Sequence, residues 1–216
     1  RVALSTRSNG EGQPRTRIGV FGGAFDPPHN AHVALAAAAL AQLDLQELRI
    51  FPTGQAWHKA RALTSAEDRL AMTRLAFQDL PGAVIDTREV LRPGPTYTLD
   101  TLRELREQSP DVQWVLVMGE DQARALPTWN GWQGILAAAI VSVAHRAPQT
   151  GDAARFDASA LPGLPAGARF ETLELPAMDI SATEIRERAA RGKNLLALVP
   201  PAVARYIDQH HLYRPA

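Results

Sequence analysis

Residues 17–43 read RIGVFGGAFDPPHNAHVALAAAALAQL, so an apolar run passes through two glycines into an alanine-rich segment. The run at 17–21 predicts a strand, and the segment at 31–43 predicts a helix. Gly22 and Gly23 therefore stand where the strand ends, at the edge of the expected sheet. Glycine permits left-handed backbone angles, and it lets an anionic group approach the backbone amides closely.

Two histidines lie at the start of this helix, with Asn30 between them as a favourable N-cap. Because His29 and His32 are three residues apart, both imidazoles face the same side of the first turn. That turn offers unbonded N–H groups and a partial positive charge, which favours phosphate binding. Other interpretations stay open: the glycines can form an ordinary turn, a histidine can be a cap, and an H-x-x-H pair can hold a metal, although no third ligand is evident nearby. A dinucleotide-binding G-x-G-x-x-G pattern is absent.

Strand-like and helical patterns alternate along most of the chain. The predicted strands are 17–21, 47–52, 83–86, 112–118, 139–144 and 170–175. The predicted helices are 31–43, 65–79, 98–108, 181–191 and 201–209. This alternation predicts an α/β fold, a Rossmann-like doubly wound parallel sheet, in a single domain over 17–216 with a C-terminal helical portion. In such sheets ligands bind beyond the carboxyl ends of the strands.

The composition excludes several classes of protein. The 216 residues carry 23 Lys and Arg against 23 Asp and Glu, which argues against a general nucleic-acid binder or a membrane-surface protein. There is no cysteine for a disulfide, a thiolate zinc site or a nucleophile, and no apolar run reaches the ~20 residues of a membrane helix. The polar segment 1–16 lacks a secretory apolar core and is predicted to be a disordered tail, and the segment 146–168 predicts a loop. A cytoplasmic protein is therefore expected.

A second informative stretch, MDISATEIRERAARG, occupies residues 178–192. Ser181 and Glu184 have the spacing of a capping box, which would make them local structural features of a helix start. Ser181, Thr183 and Arg186 also place two hydroxyls and a guanidinium around that start, a set that suits a polyphosphate. The spacing alone leaves both interpretations open.

These two stretches resemble the nucleotidyltransferase superfamily that carries an H-x-G-H motif. GGAFDPPHNAH, at 22–32, is similar to its G-x-F-D-P-x-H-x-G-H signature, with Ala31 where the family has glycine, and ISATEIR, at 180–186, is similar to its I-S-x-T-x-I-R motif. In that superfamily the second motif holds the phosphates of ATP. The resemblance implies an ATP site formed by Gly22, Gly23, Phe25, His29, His32, Gly119, Asp121, Ile180, Ser181, Thr183 and Arg186.

Further stretches resemble one branch, the bacterial nicotinate mononucleotide adenylyltransferases. They are GPTYTLDTLRELRE, MGEDQARALPTWNGWQGIL and FPTGQAWHKA, the last with Ala56-Trp57 where the family often has Pro-Pro, together with the C-terminal LVPPAVARYIDQHHLY. The resemblance covers nearly everything between Arg17 and Tyr213. It implies a nicotinate mononucleotide site formed by Gly23, Ala24, Phe25, Lys59, Tyr97, Thr98, Trp129 and Asn130, in which Thr98 and the backbone at Asn130 hold the pyridine carboxylate.

Structural roles remain open for several of these residues. Trp129 could be a core residue, although its turn-rich surroundings suit stacking on a planar ring. Thr98 and Asp121 could each cap a helix, whereas the resemblance places Asp121 near a ribose. Lys59 could be a solvated surface residue; it is one of only two lysines, and it follows a predicted strand.

The resemblance implies transfer of AMP from ATP to nicotinate mononucleotide, which yields deamido-NAD and pyrophosphate. His29, His32, Lys59 and Arg186 would be the catalytic residues, and Mg²⁺ would accompany ATP without a dedicated protein metal site. A sister enzyme acting on nicotinamide mononucleotide or phosphopantetheine and a non-catalytic nucleotide sensor are the alternatives. The sequence leaves open whether the chain forms a homo-oligomer.

Overall fold

The computed structural model describes residues 15–54, 63–146 and 155–214. Within these residues, six parallel strands form one sheet in the order β3-β2-β1-β4-β5-β6. Their bounds are β1 Arg17–Gly23, β2 Glu47–Pro52, β3 Ala83–Ile85, β4 Gln113–Gly119, β5 Ile140–Arg146 and β6 Phe170–Leu175. The strand order reverses between β1 and β4, which is the switch point of a doubly wound sheet. The predicted fold class is confirmed.

Helices connect the strands. Their bounds are α1 Asn30–Gln42, α2 Ala66–Phe77, α3 Arg88–Leu91, α4 Thr98–Gln108, α5 Glu120–Ala125, α6 Trp132–Ala138, α7 Ala182–Ala190 and α8 Pro201–Gln209. The five predicted helices lie close to their predicted bounds. The sequence did not predict α3, α5 and α6, because such short helices show little hydrophobic periodicity.

The sheet buries both of its faces. Along β4, Val115 and Val117 belong to one hydrophobic core, and Trp114, Leu116 and Met118 belong to the other. Helices α1, α2, α7 and α8 cover the first core, and α4, α5 and α6 cover the second. The C-terminal helices therefore pack on the same face as the helix that follows the two glycines.

The cap of α1 differs from the prediction. His29 is the N-cap, with an extended backbone, and Asn30 is already the first helical residue. Asn30 instead joins α1 to the segment before α8: its backbone N–H donates to the carbonyl of Leu198 at 2.9 Å, and its side chain donates to the carbonyl of Ala197 at 3.2 Å. A long-range contact has thus displaced the expected cap.

Some predictions fall on residues that the structure does not describe. They are Lys59, residues 1–14 of the predicted tail and residues 147–154 of the predicted loop. In the described part of that loop, Arg146 is the last residue of β5, and 155–168 has one short 3₁₀ turn at Ala158–Ala160 and no strand. Among the described helices, none combines the length and the apolar character needed to cross a membrane.

Candidate active site

The loop after β1 is built around a buried phenylalanine. Phe25 is 1% exposed, and it lies in the left-handed region with a φ of 47°. The two glycines before it continue the strand instead, with Gly22 paired to Phe51 and Gly23 paired to Pro52. The strand predicted at 17–21 therefore extends two residues further, through Gly23. Gly23 is needed for space, because a Cβ there would lie 3.0 Å from the Phe25 ring.

His29 and His32 are brought together at the start of α1. Their rings are stacked, with centroids 3.7 Å apart and planes inclined by 23°. The backbone N–H of His29 donates to Nδ1 of His32 at 3.2 Å, so the neutral His32 ring carries its proton on Nε2. The Phe25 ring packs edge-on against His32 at 5.1 Å. This packing fixes a donor at the helix start, as the spacing predicts.

The second motif meets the first through Arg186. One guanidinium nitrogen, Nη1, donates to the backbone carbonyl of Asp26 at 2.8 Å, and Nη2 donates to the hydroxyl of Thr183 at 3.0 Å. Ser181 is the N-cap of α7, and its hydroxyl accepts from the N–H of Glu184 at 3.1 Å. The capping interpretation is therefore correct as local structure. Ser181 can still donate its hydroxyl hydrogen, because the cap uses only the oxygen.

A cavity of about 550 Å³ opens between these two helix starts. Most of the residues predicted for the ATP site line it: Gly22, Gly23, Phe25, His29, His32, Gly119, Asp121, Ile180 and Arg186. Ser181 and Thr183 are exposed and are not among its lining residues.

A second cavity of about 470 Å³ lies on the other side of the same loop. The predicted mononucleotide residues that line it are Gly23, Ala24, Tyr97, Thr98, Trp129 and Asn130. Phe25 lines the first cavity and not this one. Trp129 is half-buried and packs against the second core, so it has a structural contact as well as a face toward the cavity.

The two cavities meet at the switch point of the sheet. The residues that line both are Gly22, Gly23, Ala24, Asp121 and Gln122. They lie at or just after the carboxyl ends of β1 and β4, the two neighbouring strands between which the order reverses. Two spaces of nucleotide size therefore open onto one edge, where groups bound in each could come into contact.

The comparisons with known proteins agree with this geometry. Residues 20–188 match the cytidylyltransferase-like family. A probable nicotinate-nucleotide adenylyltransferase from Albidiferax ferrireducens is 54% identical over 200 residues, covering 93% of this chain and 99% of the relative. Another, from Methylibium petroleiphilum, is 42% identical over 206 residues, or 94% of each chain. The chain belongs to the nicotinate-nucleotide adenylyltransferase family.

A solved structure shares the fold of this family member at lower identity. It is the Plasmodium falciparum nicotinic acid mononucleotide adenylyltransferase complexed with NaAD, with a TM-score of 0.74 and 20% identity. The match covers 92% of this chain and 97% of that chain. This likeness shows the fold alone, whereas the two relatives of higher identity confirm the family predicted from the motifs.

The chain also contains a buried arginine that sequence reasoning missed. Arg69, on α2, is 2% exposed and donates to the backbone carbonyls of Ala24, Thr53 and Gly54 at 2.9, 2.6 and 3.0 Å. It thereby ties the loop after β1 to the loop after β2. Burial lowers the pKa of Arg69, and the nearby charge of Asp26 opposes that shift. Helical spacing gave a signal, because Arg69 shares a face with the buried residues Met72, Thr73 and Ala76.

Buried polar side chains also line the second cavity. The Thr101 hydroxyl donates to the carboxyl group of Glu89 at 2.7 Å, and both residues are buried. Burial raises the pKa of Glu89, and the bond from Thr101 and the charge of Arg92 oppose it. The hydroxyl of Thr96 is buried and has no hydrogen-bond partner within the described ranges. Thr96 lies inside a motif that the sequence analysis singled out, but only the structure shows that it is buried, whereas its neighbours Tyr97 and Thr98 are half-buried.

A charged cluster borders the first cavity. Glu120, at the start of α5, contacts Nδ1 of the buried His145, and its other carboxylate oxygen accepts from Arg124 at 2.7 Å. Burial alone would raise the pKa of Glu120. The hydrogen bonds from His145 and Arg124 outweigh this effect, so the pKa lies below its ordinary value. The carboxylate therefore holds Arg124 at the cavity wall.

Gly131 sets the turn that follows Trp129. It has a φ of 62°, and a Cβ there would lie 2.4 Å from Cδ2 of Leu99. Leu99 directly follows Thr98, so the close approach places the two predicted carboxylate-binding segments side by side. The sequence places a glycine in this turn but gives no indication of its partner.

Proposed function

We propose that this chain transfers AMP from ATP to nicotinate mononucleotide, forming deamido-NAD and pyrophosphate. The observation that supports this most strongly is the pair of cavities that meet at Gly22–Ala24, with the stacked His29 and His32 beside the meeting point. A reaction that joins two nucleotides through their phosphates needs this arrangement, because both reacting groups are anions and must be held together.

In this proposal ATP occupies the first cavity. Arg186 neutralises the β- and γ-phosphates, supported by the hydroxyls of Ser181 and Thr183 at the start of α7. His32 donates through Nε2 to the phosphate at the reacting centre, and His29 flanks it. Gly119, the last residue of β4, lines the same cavity as Asp121, which we assign to the ribose.

The mononucleotide occupies the second cavity. Trp129 stacks on the pyridine ring, and the Thr98 hydroxyl with the backbone near Asn130 binds its carboxylate. Tyr97 and Thr96 line the same space. Lys59 is proposed, on the sequence resemblance alone, to offset the charge between the two substrates.

The chemistry needs no protein nucleophile. A 5′-phosphate oxygen of the mononucleotide attacks the α-phosphorus of ATP in line, the new P–O bond forms, and the bond from the α-phosphorus to the bridging oxygen breaks with pyrophosphate as leaving group. The residues of this chain position the two anions and stabilise the charge that spreads over the α-phosphoryl oxygens. Positioning of this kind contributes roughly 7–11 kcal/mol in favourable intramolecular reactions.

We also propose that Mg²⁺ accompanies ATP. The described residues include no cluster of three or more His, Asp or Glu side chains able to hold a metal ion. Mg²⁺ does not need a protein cluster of that kind, because it keeps several waters and takes its other ligands from phosphate oxygens and one or two carboxylates. When bound it would neutralise part of the polyphosphate charge.

The test is pyrophosphate release by the purified chain with ATP, Mg²⁺ and one acceptor at a time. The acceptors are nicotinate mononucleotide, nicotinamide mononucleotide and phosphopantetheine. We expect the highest kcat/KM with nicotinate mononucleotide and a dinucleotide product of matching mass. The assignment would be refuted if phosphopantetheine were the only one of the three acceptors to support pyrophosphate release, or if none of them supported it.

A further inference from the structure

Asp26 connects the loop after β1 to distant parts of the chain. Asp26 is 3% exposed, and it precedes His29 by three residues. Its Oδ2 accepts from the backbone N–H of Thr64 at 3.2 Å, and its backbone carbonyl accepts from Arg186 at 2.8 Å. Its Oδ1 accepts from the hydroxyl of Tyr213 at 2.7 Å. One residue of the first motif is thus bonded to the segment before α2, to α7 and to the C-terminal segment.

Tyr213 reaches Asp26 by an uncommon backbone route. After α8 the chain turns through His211 and Tyr213, which both have positive φ angles, of 52° and 64°. Residues other than glycine disfavour positive φ angles, so the surrounding contacts must hold the turn in place. Burial, then the charge of Asp26, raises the pKa of Tyr213 well above its usual range, so its hydroxyl stays protonated and donates.

We propose that Tyr213 is a positioning residue of the active site, which fixes the loop carrying His29 and His32 through its hydrogen bond to Asp26. The proposal rests on the proposed function for what the loop does. Arg186 is held by the carbonyl of the same Asp26, so a shift of Asp26 would misplace both the histidines and the phosphate-binding guanidinium.

The chain offers a matched control in Tyr206. Its hydroxyl also donates to a carboxylate, that of Asp68 on α2, at 2.9 Å, and it joins the same C-terminal region to the body of the protein. Neither Tyr206 nor Asp68 lines either cavity. Loss of the Tyr206 hydroxyl therefore measures what such a bond contributes to the fold alone.

The experiment compares Tyr213→Phe with Tyr206→Phe, each of which keeps the ring and removes one hydroxyl. Both are assayed by pyrophosphate release well below their melting temperatures, and Tm is measured for each. We expect kcat to fall about tenfold in Tyr213→Phe, as for loss of one hydrogen bond to a charged group, with little change in KM for nicotinate mononucleotide. Tyr206→Phe is expected to keep kcat within twofold of the wild type, with a fall in Tm no larger than that of Tyr213→Phe, because Asp68 is less buried than Asp26.

A second measurement separates this proposal from the proposed function. The Kd for ATP is measured by calorimetry without any acceptor, and we expect Tyr213→Phe to weaken it about threefold while Tyr206→Phe leaves it unchanged. If the wild type binds ATP but releases no pyrophosphate with any acceptor, the function fails and this comparison still tests Tyr213. Equal kcat and equal Kd in the two variants would overturn the positioning role.

Discussion

The imidazole rings of His29 and His32 are stacked 3.7 Å apart, and the backbone N–H of the first donates to Nδ1 of the second. The bond leaves Nε2 of the neutral His32 ring as the donor nitrogen. It also means that His29 contributes to the site twice, through its own ring at the helix start and through the orientation of its neighbour.

His32→Ala should nearly abolish turnover while leaving the fold intact. One well-aimed donor to transition-state charge contributes about 2.7–4 kcal/mol, so kcat should fall roughly 10²- to 10³-fold. Single-turnover measurements at saturating substrates, with circular dichroism to check the fold, test this. His210→Ala is the control, because it removes an imidazole that stacks on Tyr206 away from both cavities. A His32→Ala enzyme within threefold of the wild-type kcat would exclude the catalytic role.

Arg186→Ala should raise the KM for ATP by about 10- to 100-fold and change the KM for nicotinate mononucleotide much less. The reason is that Arg186 lines the first cavity only. Arg186→Lys should recover part of the loss, because lysine keeps the charge but lacks the two-pronged donor geometry.

The control for that prediction lies on the same helix. Arg188 is paired with Glu184 at 3.0 Å and lines neither cavity, so Arg188→Ala should leave both KM values near those of the wild type. Equal increases in the two KM values for Arg186→Ala would contradict the division of the cavities between the substrates.

The acceptor should be nicotinate mononucleotide in preference to its amide. The amide NH₂ would face the backbone N–H donors near Asn130, which cannot accept from it, at a cost of about 1–3 kcal/mol for each unpaired group. A carboxylate accepts both from these donors and from the Thr98 hydroxyl. Trp129→Ala should weaken both acceptors alike, since both present the same ring face, whereas Thr98→Val should reduce the ratio of their kcat/KM values. This cavity also contains a carboxyl group, that of Glu89. A wild-type ratio near one would count against donor-based selection.

Gly131→Ala should destabilise the protein more than an ordinary substitution at a left-handed glycine. The backbone conformation costs roughly 1–2 kcal/mol, and the contact with Leu99 adds about 1–3 kcal/mol for overpacking. Gly192→Ala separates these effects, since Gly192 has a φ of 63° and no atom within 4 Å of an added Cβ. Urea unfolding of the two variants gives the difference. Equal losses of unfolding free energy in the two variants would mean that the turn at Gly131 moves to make room for the new methyl group.

Glu89→Gln should change how stability depends on pH. Burial raises the pKa of Glu89 in the folded protein above its ordinary value of 4.5, so the folded state binds the extra proton in the pH range above 4.5. The free energy of unfolding should therefore fall as the pH rises through the folded-state pKa, and this part of the decline should be missing in Glu89→Gln.

Urea unfolding of both proteins between about pH 4 and pH 8 measures the difference, with Glu107→Gln on the exposed face of α4 as a control for loss of one charge. Glutamine can still accept the hydrogen bond from Thr101, so packing is preserved. A difference between wild type and Glu89→Gln that grows in favour of the wild type with rising pH would refute the assignment.

Much of the fold could be predicted from local patterns alone. Apolar runs and helical spacing gave the strands and the longer helices, and the two motifs gave the residues of the first cavity, because these signals act over a few neighbouring residues. The same reasoning placed Asn30 as a cap and ended the first strand at Phe21. The structure differs at both places, because Asn30 bonds to Leu198 and Ala197, and β1 continues to Gly23, which pairs with Pro52.

The sequence by itself determined the sheet, the family and the two motifs that meet at the first cavity. The roles of the motif residues and of Lys59 remain predictions from it. Only the tertiary structure decided which groups meet. Arg186 donates to the backbone carbonyl of Asp26, and Tyr213 donates to its carboxylate. The physical reason is that each of these bonds joins segments separated by well over a hundred residues. Their partners depend on how helices pack across the sheet, which no local periodicity encodes.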